Sequence, residues 1–232
     1  MSDWIALCEG VAERCRGKGL DLVHPFSLGW YNDLVEHEAH KLPDHGRHRA
    51  LGLLIGNTRN FWPMFSRALR RNAELARAAD PVDSYIVESI DHALAGLAEQ
   101  HTVRFGHDLE PCALPIQRLA AAAGLAHLSP SHLSIHPVHG PWIALRALVV
   151  IDVDGPDGPR VPAPDPCTAC AKPCLDALSR ALEITALPEG MQQSWEAWLA
   201  VRDACPQGTA SRYSDEQVRY HYTKLRRLLP VL

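Results

Sequence analysis

Apolar positions change period several times along this chain, and each change predicts an element. Over residues 3–16, Trp4, Ile5, Leu7, Cys8, Val11, Ala12 and Cys15 form a helical stripe that Gly17 and Gly19 close. A loop containing HPFSLGWYND (residues 24–33) follows; ALGLLIGN (residues 50–57) is then continuously apolar, as in a buried strand ended by Gly56-Asn57. Asn60 stands where it can cap a helix through Phe61, Met64, Phe65, Ala68, Leu69 and Leu75. That spacing buries one face and turns Arg67, Arg70 and Arg71 largely to the other. Asp80-Pro81 restarts a helix with proline in its first turn, continuing through Tyr85, Ile86, Ile90, Leu94 and Leu97. Residues 101–108 alternate weakly, as a strand does, and residues 114–125 read as an alanine-rich helix.

Residues 134–136 and 142–154 read as the two strands of a hairpin, punctuated by Pro137 and Gly140-Pro141. The second strand carries a single cation, Arg146, inside an otherwise apolar run. A guanidinium so placed needs an anionic or hydrogen-bonding partner, because a buried unpaired charge is very costly. Two arrangements satisfy it: an ion pair with an internal carboxylate, or a guanidinium on the sheet floor aimed at a ligand. At Gly155 the composition breaks. DGPDGPRVPAPDP holds five prolines and two glycines and excludes helix or central strand. Helical pattern returns over residues 175–182, 191–205 and 214–229, the last opened by a Ser214/Gln217 capping box. The expected architecture is α/β (α+β). It has a core over residues 1–154, then residues 155–232 supplying the proline-rich connection and C-terminal helices packed on that core.

Charge and composition narrow the function classes. A net charge of −4 offers no broad basic face for a phosphate backbone, which argues against nucleic-acid binding. No apolar run reaches the roughly 18–20 residues that span a bilayer. The first residues carry acids and no long apolar core, unlike a secretory signal, so a cytoplasmic location is expected.

Seven cysteines add chemistry. An odd count without an export signal points to thiols, metal ligands or a cluster rather than a disulfide framework. Cys167, Cys170 and Cys174 form C-x2-C-x3-C, in which a tight turn directs sulfurs to one side. Cys205-Pro206 resembles the Cys-Pro ending of bacterial iron–sulfur motifs and would complete a four-cysteine site from about thirty residues downstream. A 4Fe–4S cluster, a structural zinc and ligand-free or redox thiols all remain open from spacing. The thirteen histidines include no H-E-x-x-H pair; His37, His40, His45 and His48 crowd a polar loop. His132, His136 and His139 flank the turn before Trp142 and read as ordinary turn residues or as donors to a ligand.

Five segments resemble, in order, the CblC (MMACHC) family of cobalamin-processing proteins, which are cyanocobalamin reductases and alkylcobalamin dealkylases. They are HPFSLGWYND (24–33), DPVDSYI (80–86), SIHPVHGPWIALRALVV (134–150), VRDAC (201–205) and RYSDEQ (212–217). A second resemblance, through QRLAAAAGLAHLSPSHLSIHPVHGPWIAL and the cysteines downstream, is to the cobalamin-binding part of epoxyqueuosine reductase, a family pairing a corrin with 4Fe–4S clusters. Animal CblC lacks the cysteine set, so this chain departs from that pattern.

The resemblance implies a fold akin to flavin-dependent nitroreductases, a sheet flanked by helices, with a cavity for base-off cobalamin. Small residues at 120–124, ending in Gly124, are expected beneath the corrin. Ser131, Ser134 and His136 are expected at its rim, and Trp142 in the wall. By motif match Arg146 and Arg202 take the places of arginines that hold glutathione, with Arg226 or Arg227 as a third. Ala121 stands where some members place a histidine. A flavin (FMN or FAD), the cluster or a partner reductase would supply electrons, since no glycine-rich dinucleotide fingerprint is present. Three activities follow: an enzyme that removes the upper axial ligand, a non-catalytic cobalamin chaperone, or an iron–sulfur electron-transfer protein.

Overall fold

Two apolar runs lie side by side at the centre of the molecule, each too hydrophobic to leave a face in water. The computed structural model describes residues 4–109, 112–186 and 194–230. In chain order its elements are α1 (Trp4–Arg16), β1 (Leu22–Ser27), α2 (Gly29–Asn32), β2 (Ala50–Asn57), α3 (Phe61–Arg71), α4 (Ala73–Arg77), α5 (Pro81–Leu94), β3 (His101–Phe105), α6 (Ile116–Ala122), β4 (His127–Leu128), β5 (Ser134–Ile135), β6 (Ala144–Asp154), α7 (Pro173–Thr185), α8 (Trp195–Asp203) and α9 (Asp215–Thr223). Four strands form an antiparallel sheet in the order β1-β2-β6-β3, with β2 and β6 in the middle.

Both faces of this sheet are covered. Leu51, Leu53 and Ile55 of β2 pack with Ala147, Val149 and Ile151 of β6 against α1, α3 and α5. On the opposite face Leu54, Leu148 and Val150 meet α6 and the β1–α2 corner. Burial on both sides is why these two strands read as unbroken apolar runs rather than alternating ones. The C-terminal segment contributes to the first of these cores through Tyr220 and Leu229. Among the described residues no helix is long and apolar enough to cross a membrane.

Several predicted boundaries shift for identifiable reasons. Residues 134–136 and 142–154 do not pair as a hairpin. β5 pairs with β4 in a separate two-stranded sheet, while β6 joins β2 and β3. Between β5 and β6 the chain closes a tight loop through the His136–Gly140 bridge, and Pro141 has no N–H with which to extend the pairing. Asn60 does not cap α3; its amide nitrogen donates to Asp21 at 2.9 Å. The helix predicted through Leu75 breaks at Asn72, whose side chain caps α4 instead. Asp80 does cap α5, accepting from Val82 and Asp83 at 3.1 Å each, a contribution of about 1 kcal/mol. The last helix starts with Ser214 accepting from the Gln217 N–H (3.3 Å) and stops at Lys224, which takes a left-handed conformation, short of residue 229. Residues 191–193 of the predicted 191–205 helix lie outside the described residues, and α8 covers Trp195–Asp203.

Candidate functional site

The site begins with a defect in the sheet. Ile55 faces Ala147, but Gly56 faces Leu145, so Arg146 is an extra residue on β6, a β-bulge. Strict alternation would send Arg146 to the same face as Leu148 and Val150. The bulge reverses this: Leu145 packs on that face, and the guanidinium crosses to lie 5.3 Å from the centre of the Phe61 ring. Gly56 makes the bulge possible, because a Cβ there would press on the Ala144 carbonyl.

Among the described residues Arg146 has no acid partner. Its Nε donates to Asn57 Oδ1 at 2.7 Å, and its buried Nη2 has no hydrogen-bond partner among the described residues. Burial pulls its pKa below the ordinary arginine value, and Asp80 and Asp83 act on it only from a distance. Among the described residues the internal ion pair is therefore absent, and the arrangement left is a guanidinium whose charge no neighbouring carboxylate pairs.

Arg202, on α8, packs on the Trp142 ring. Its Nη2 donates to the Pro141 carbonyl at 2.5 Å, and its plane lies 4.6 Å from the Trp142 ring and 5.2 Å from that of Tyr213. It too forms no ion pair among the described residues. Trp142 is 1% exposed, held between Arg202 and Arg212 with Tyr213 edge-on. It positions Arg202 and lines no described cavity. Arg212 is bound to Asp203 and Asp215. Arg226 donates to the carbonyls of Ala76 and Ala78 at the end of α4, and so braces that helix.

Two cavities meet at Arg202. The larger, about 730 Å³, has apolar walls from Leu133, Leu178, Trp195, Trp198 and Tyr222. Its polar groups include Ser131, Arg202 and His221. The smaller, about 260 Å³, is bounded by Gln117, Ser134, Pro141, Ile143 and Leu145, and it shares Leu133 and Arg202 with the first. Ser134 Oγ is buried without a partner, a second orphaned polar atom. The segment between β5 and β6 is thus packed solid on the Trp142 side and open on the Pro141, Ile143 and Leu145 side.

Two of the expected rim and floor residues serve the fold. A Cβ on Gly124, which has a φ of +77°, would overlap the Val161 carbonyl; this glycine admits the proline-rich connection. His136 Nδ1 accepts from the backbone N–H groups of Val138 (3.1 Å) and His139 (3.2 Å), and burial, then His139 and His24, lower its pKa to about 4. Neither lines a described cavity.

Residues the sequence did not single out complete the picture. Asn57 is fully buried beside Arg146. His221 is held neutral, its pKa well below the ordinary value, by burial first and then by Arg146, Lys224 and Arg202. Its one sequence signal was an aromatic run, Tyr220-His221-Tyr222, in a helix otherwise read for its arginines.

The four cysteines converge. Cys167, Cys170, Cys174 and Cys205 line one small pocket with Ser129, Ser131 and Lys172. The Cys170 N–H donates to the Cys167 carbonyl (3.3 Å), closing the turn, and the Lys172 N–H donates to Cys170 Sγ (3.3 Å). Lys172 adopts φ +56°, which lets Pro173 start α7 and sets Cys174 in its first turn. Cys205 follows the last turn of α8, three residues beyond Arg202. Burial, Asp165 and the other three thiols push the Cys167 thiol up. Cys167 Sγ also lies with ligand atoms of His127 and Asp165, all within 4.8 Å of one another. Ser131 borders both this pocket and the larger cavity.

No family model matches the chain. Over 90% of its length it shares a fold with Bacillus subtilis epoxyqueuosine reductase, at a TM-score of 0.55 and 16% identity over 67% of that chain. The likeness to a C. elegans B12-trafficking protein, CblC, is stronger: TM-score 0.75 and 19% identity, covering 99% of this chain and 96% of that one. In sequence it is 29% identical to the cyanocobalamin reductase/alkylcobalamin dealkylase of Mus musculus, over 87% of this chain and 73% of the mouse protein. The Homo sapiens protein of that name is 30% identical over 223 residues, 87% of this chain and 72% of its own length. The chain belongs to the cyanocobalamin reductase/alkylcobalamin dealkylase family.

Proposed function

We propose that the protein is a cobalamin-processing oxidoreductase that removes the upper axial ligand of a bound corrinoid. The observation that carries this reading is Arg202, without a carboxylate partner among the described residues, lining both of two adjoining cavities in a chain of this family. The orphaned Arg146 guanidinium lies within electrostatic reach of the cavity residue His221. A corrinoid exceeds either void alone. Its entry would join them by displacing Leu133, with Ser134 Oγ and Ser131 meeting polar groups at its rim. In this reading residues 1–154 carry the corrin and residues 155–232 close over it.

Arg146 and Arg202 would hold glutathione, whose two carboxylates accept paired N–H donors. In dealkylation the thiolate sulfur takes the alkyl carbon, and the electron pair of the broken cobalt–carbon bond stays on cobalt. The positive field of the arginines favours the anionic thiolate, while loss of water opposes it.

Cys167, Cys170, Cys174 and Cys205 would hold a 4Fe–4S cluster, which supplies one-electron transfer when bound. Their convergence on one pocket and the N–H donated to Cys170 Sγ support that donor set. The position of Ser131 between pocket and cavity supports a short path to the corrinoid. Electrons would enter from a partner reductase or a flavin.

The test is anaerobic incubation with cyanocobalamin, glutathione and a one-electron reductant, following the corrin spectrum. Loss of the cyanide-bound spectrum at a rate proportional to protein is expected; an unchanged rate over the protein-free control would overturn the proposal.

A further inference from the structure

We infer that Asn57 sets the charge specificity of the co-substrate: it aims Arg146 and, by being neutral, leaves the guanidinium to be neutralised by an anion on the bound ligand. This rests on the reading that Arg146 meets a carboxylate-bearing thiol.

Three observations converge on it. The first is orientation. Asn57 is fully buried, and its amide nitrogen donates to the Thr58 carbonyl at 2.9 Å, so its oxygen is the end that faces Arg146 Nε at 2.7 Å. Thr58 is in turn fixed by Asp21 through its N–H (2.7 Å) and its hydroxyl (2.6 Å). An aspartate at position 57 would put a carboxylate oxygen at the same place.

The second is charge. A guanidinium presents five N–H donors, and here one buried nitrogen, Nη2, has no partner. The acids nearest to it are committed elsewhere. Asp80 binds Lys224 at 2.8 Å and caps α5, and Asp83 faces His107 at 3.7 Å. The third is the company Arg146 keeps. Arg202 is likewise without an ion pair, His221 is held neutral, and burial keeps the Tyr213 phenol protonated. Among the described residues no acid pairs with Arg146 or Arg202, and Asp80 and Asp83 act on Arg146 only from a distance. A buried unpaired charge is destabilising unless a binding partner completes it, so the missing anion belongs to a ligand.

The experiment is calorimetric titration of glutathione, and of glutathione esterified at both carboxylates, into wild-type protein, Asn57→Asp and Asn57→Ser. Wild type should prefer the free acid by roughly ten- to hundredfold, the range of one or two charge-assisted hydrogen bonds. Asn57→Asp should lose that preference, because the internal carboxylate now completes the pair. Asn57→Ser, which removes the amide without adding charge, should bind both forms more weakly and keep the preference. Retention of the wild-type preference by Asn57→Asp overturns the inference, as does its loss in Asn57→Ser. If wild type itself shows no preference, the assignment of Arg146 to the thiol's carboxylates fails as well, and the inference with it.

Discussion

At the scale of single residues, the chemistry depends on groups whose ordinary ionisation has been shifted or whose ordinary partner is withheld. Arg146 keeps a buried nitrogen unpaired, while His136, His24 and His221 are held neutral by burial. The histidines give a pH prediction with a definite sign. His136 has an ordinary value of about 6.5 and a folded value of about 4, so between these the unfolded chain binds more protons. Stability therefore rises with pH across that window and is lost as pH falls from about 6.5 towards about 4; His24 and His221 act in the same direction. Urea midpoints measured from pH 7 down to pH 4 should fall progressively. A flat profile would contradict the neutral assignment. Arg146 was legible in the sequence because a lone cation in an apolar run stands out. Asn57 was not, since an asparagine after a glycine at a strand end is an ordinary turn residue until its partner is known.

At the scale of elements, the β2–β6 bulge decides which face receives Arg146. Sequence pattern could not show it, because a bulge exists only between two paired strands, and residues 142–154 look like one uninterrupted strand. The partner of β5 was missed for a related reason. Two-residue strands carry no period, and pairing with β4 depends on where α6 leaves the chain. The cysteine loop was easier to read: C-x2-C encodes its own turn, and Pro173 announces the helix that brings Cys174 back. The bulge makes a direct prediction. Gly56→Ala presses a methyl group on the Ala144 carbonyl and should cost about 1–3 kcal/mol, as overpacking of a filled site does. Guanidinium denaturation would register that loss. If Gly56→Ala leaves stability unchanged, the bulge is not required at this position.

At the scale of the whole molecule, distant segments meet at one place. α8 brings Arg202 and then Cys205, α9 brings His221, the loop before β5 brings Ser131 between the cysteine pocket and the large cavity, and β6 brings Arg146 within electrostatic reach of His221. Gly140 and Gly208 lock two of these segments together, since a Cβ on either would overlap the other strand of chain. The C-terminal helices were legible as helices, but that they supply most of the large cavity's walls was not. Leu178, Trp195, Trp198 and Tyr222 show only helical spacing in sequence, and their convergence is a property of packing. The thiols, Arg202 and the cavity thus form one connected region, joined through Ser131, rather than separate sites.

That connection is the central claim, and one spectrum tests it most directly: anaerobic absorption of the purified protein, reconstituted with iron and sulfide, before and after adding hydroxocobalamin. The account predicts a broad visible absorption from the cysteine site that bleaches on reduction, and a displaced corrin spectrum once the two are mixed. A mixed spectrum equal to the sum of its separate components would contradict it.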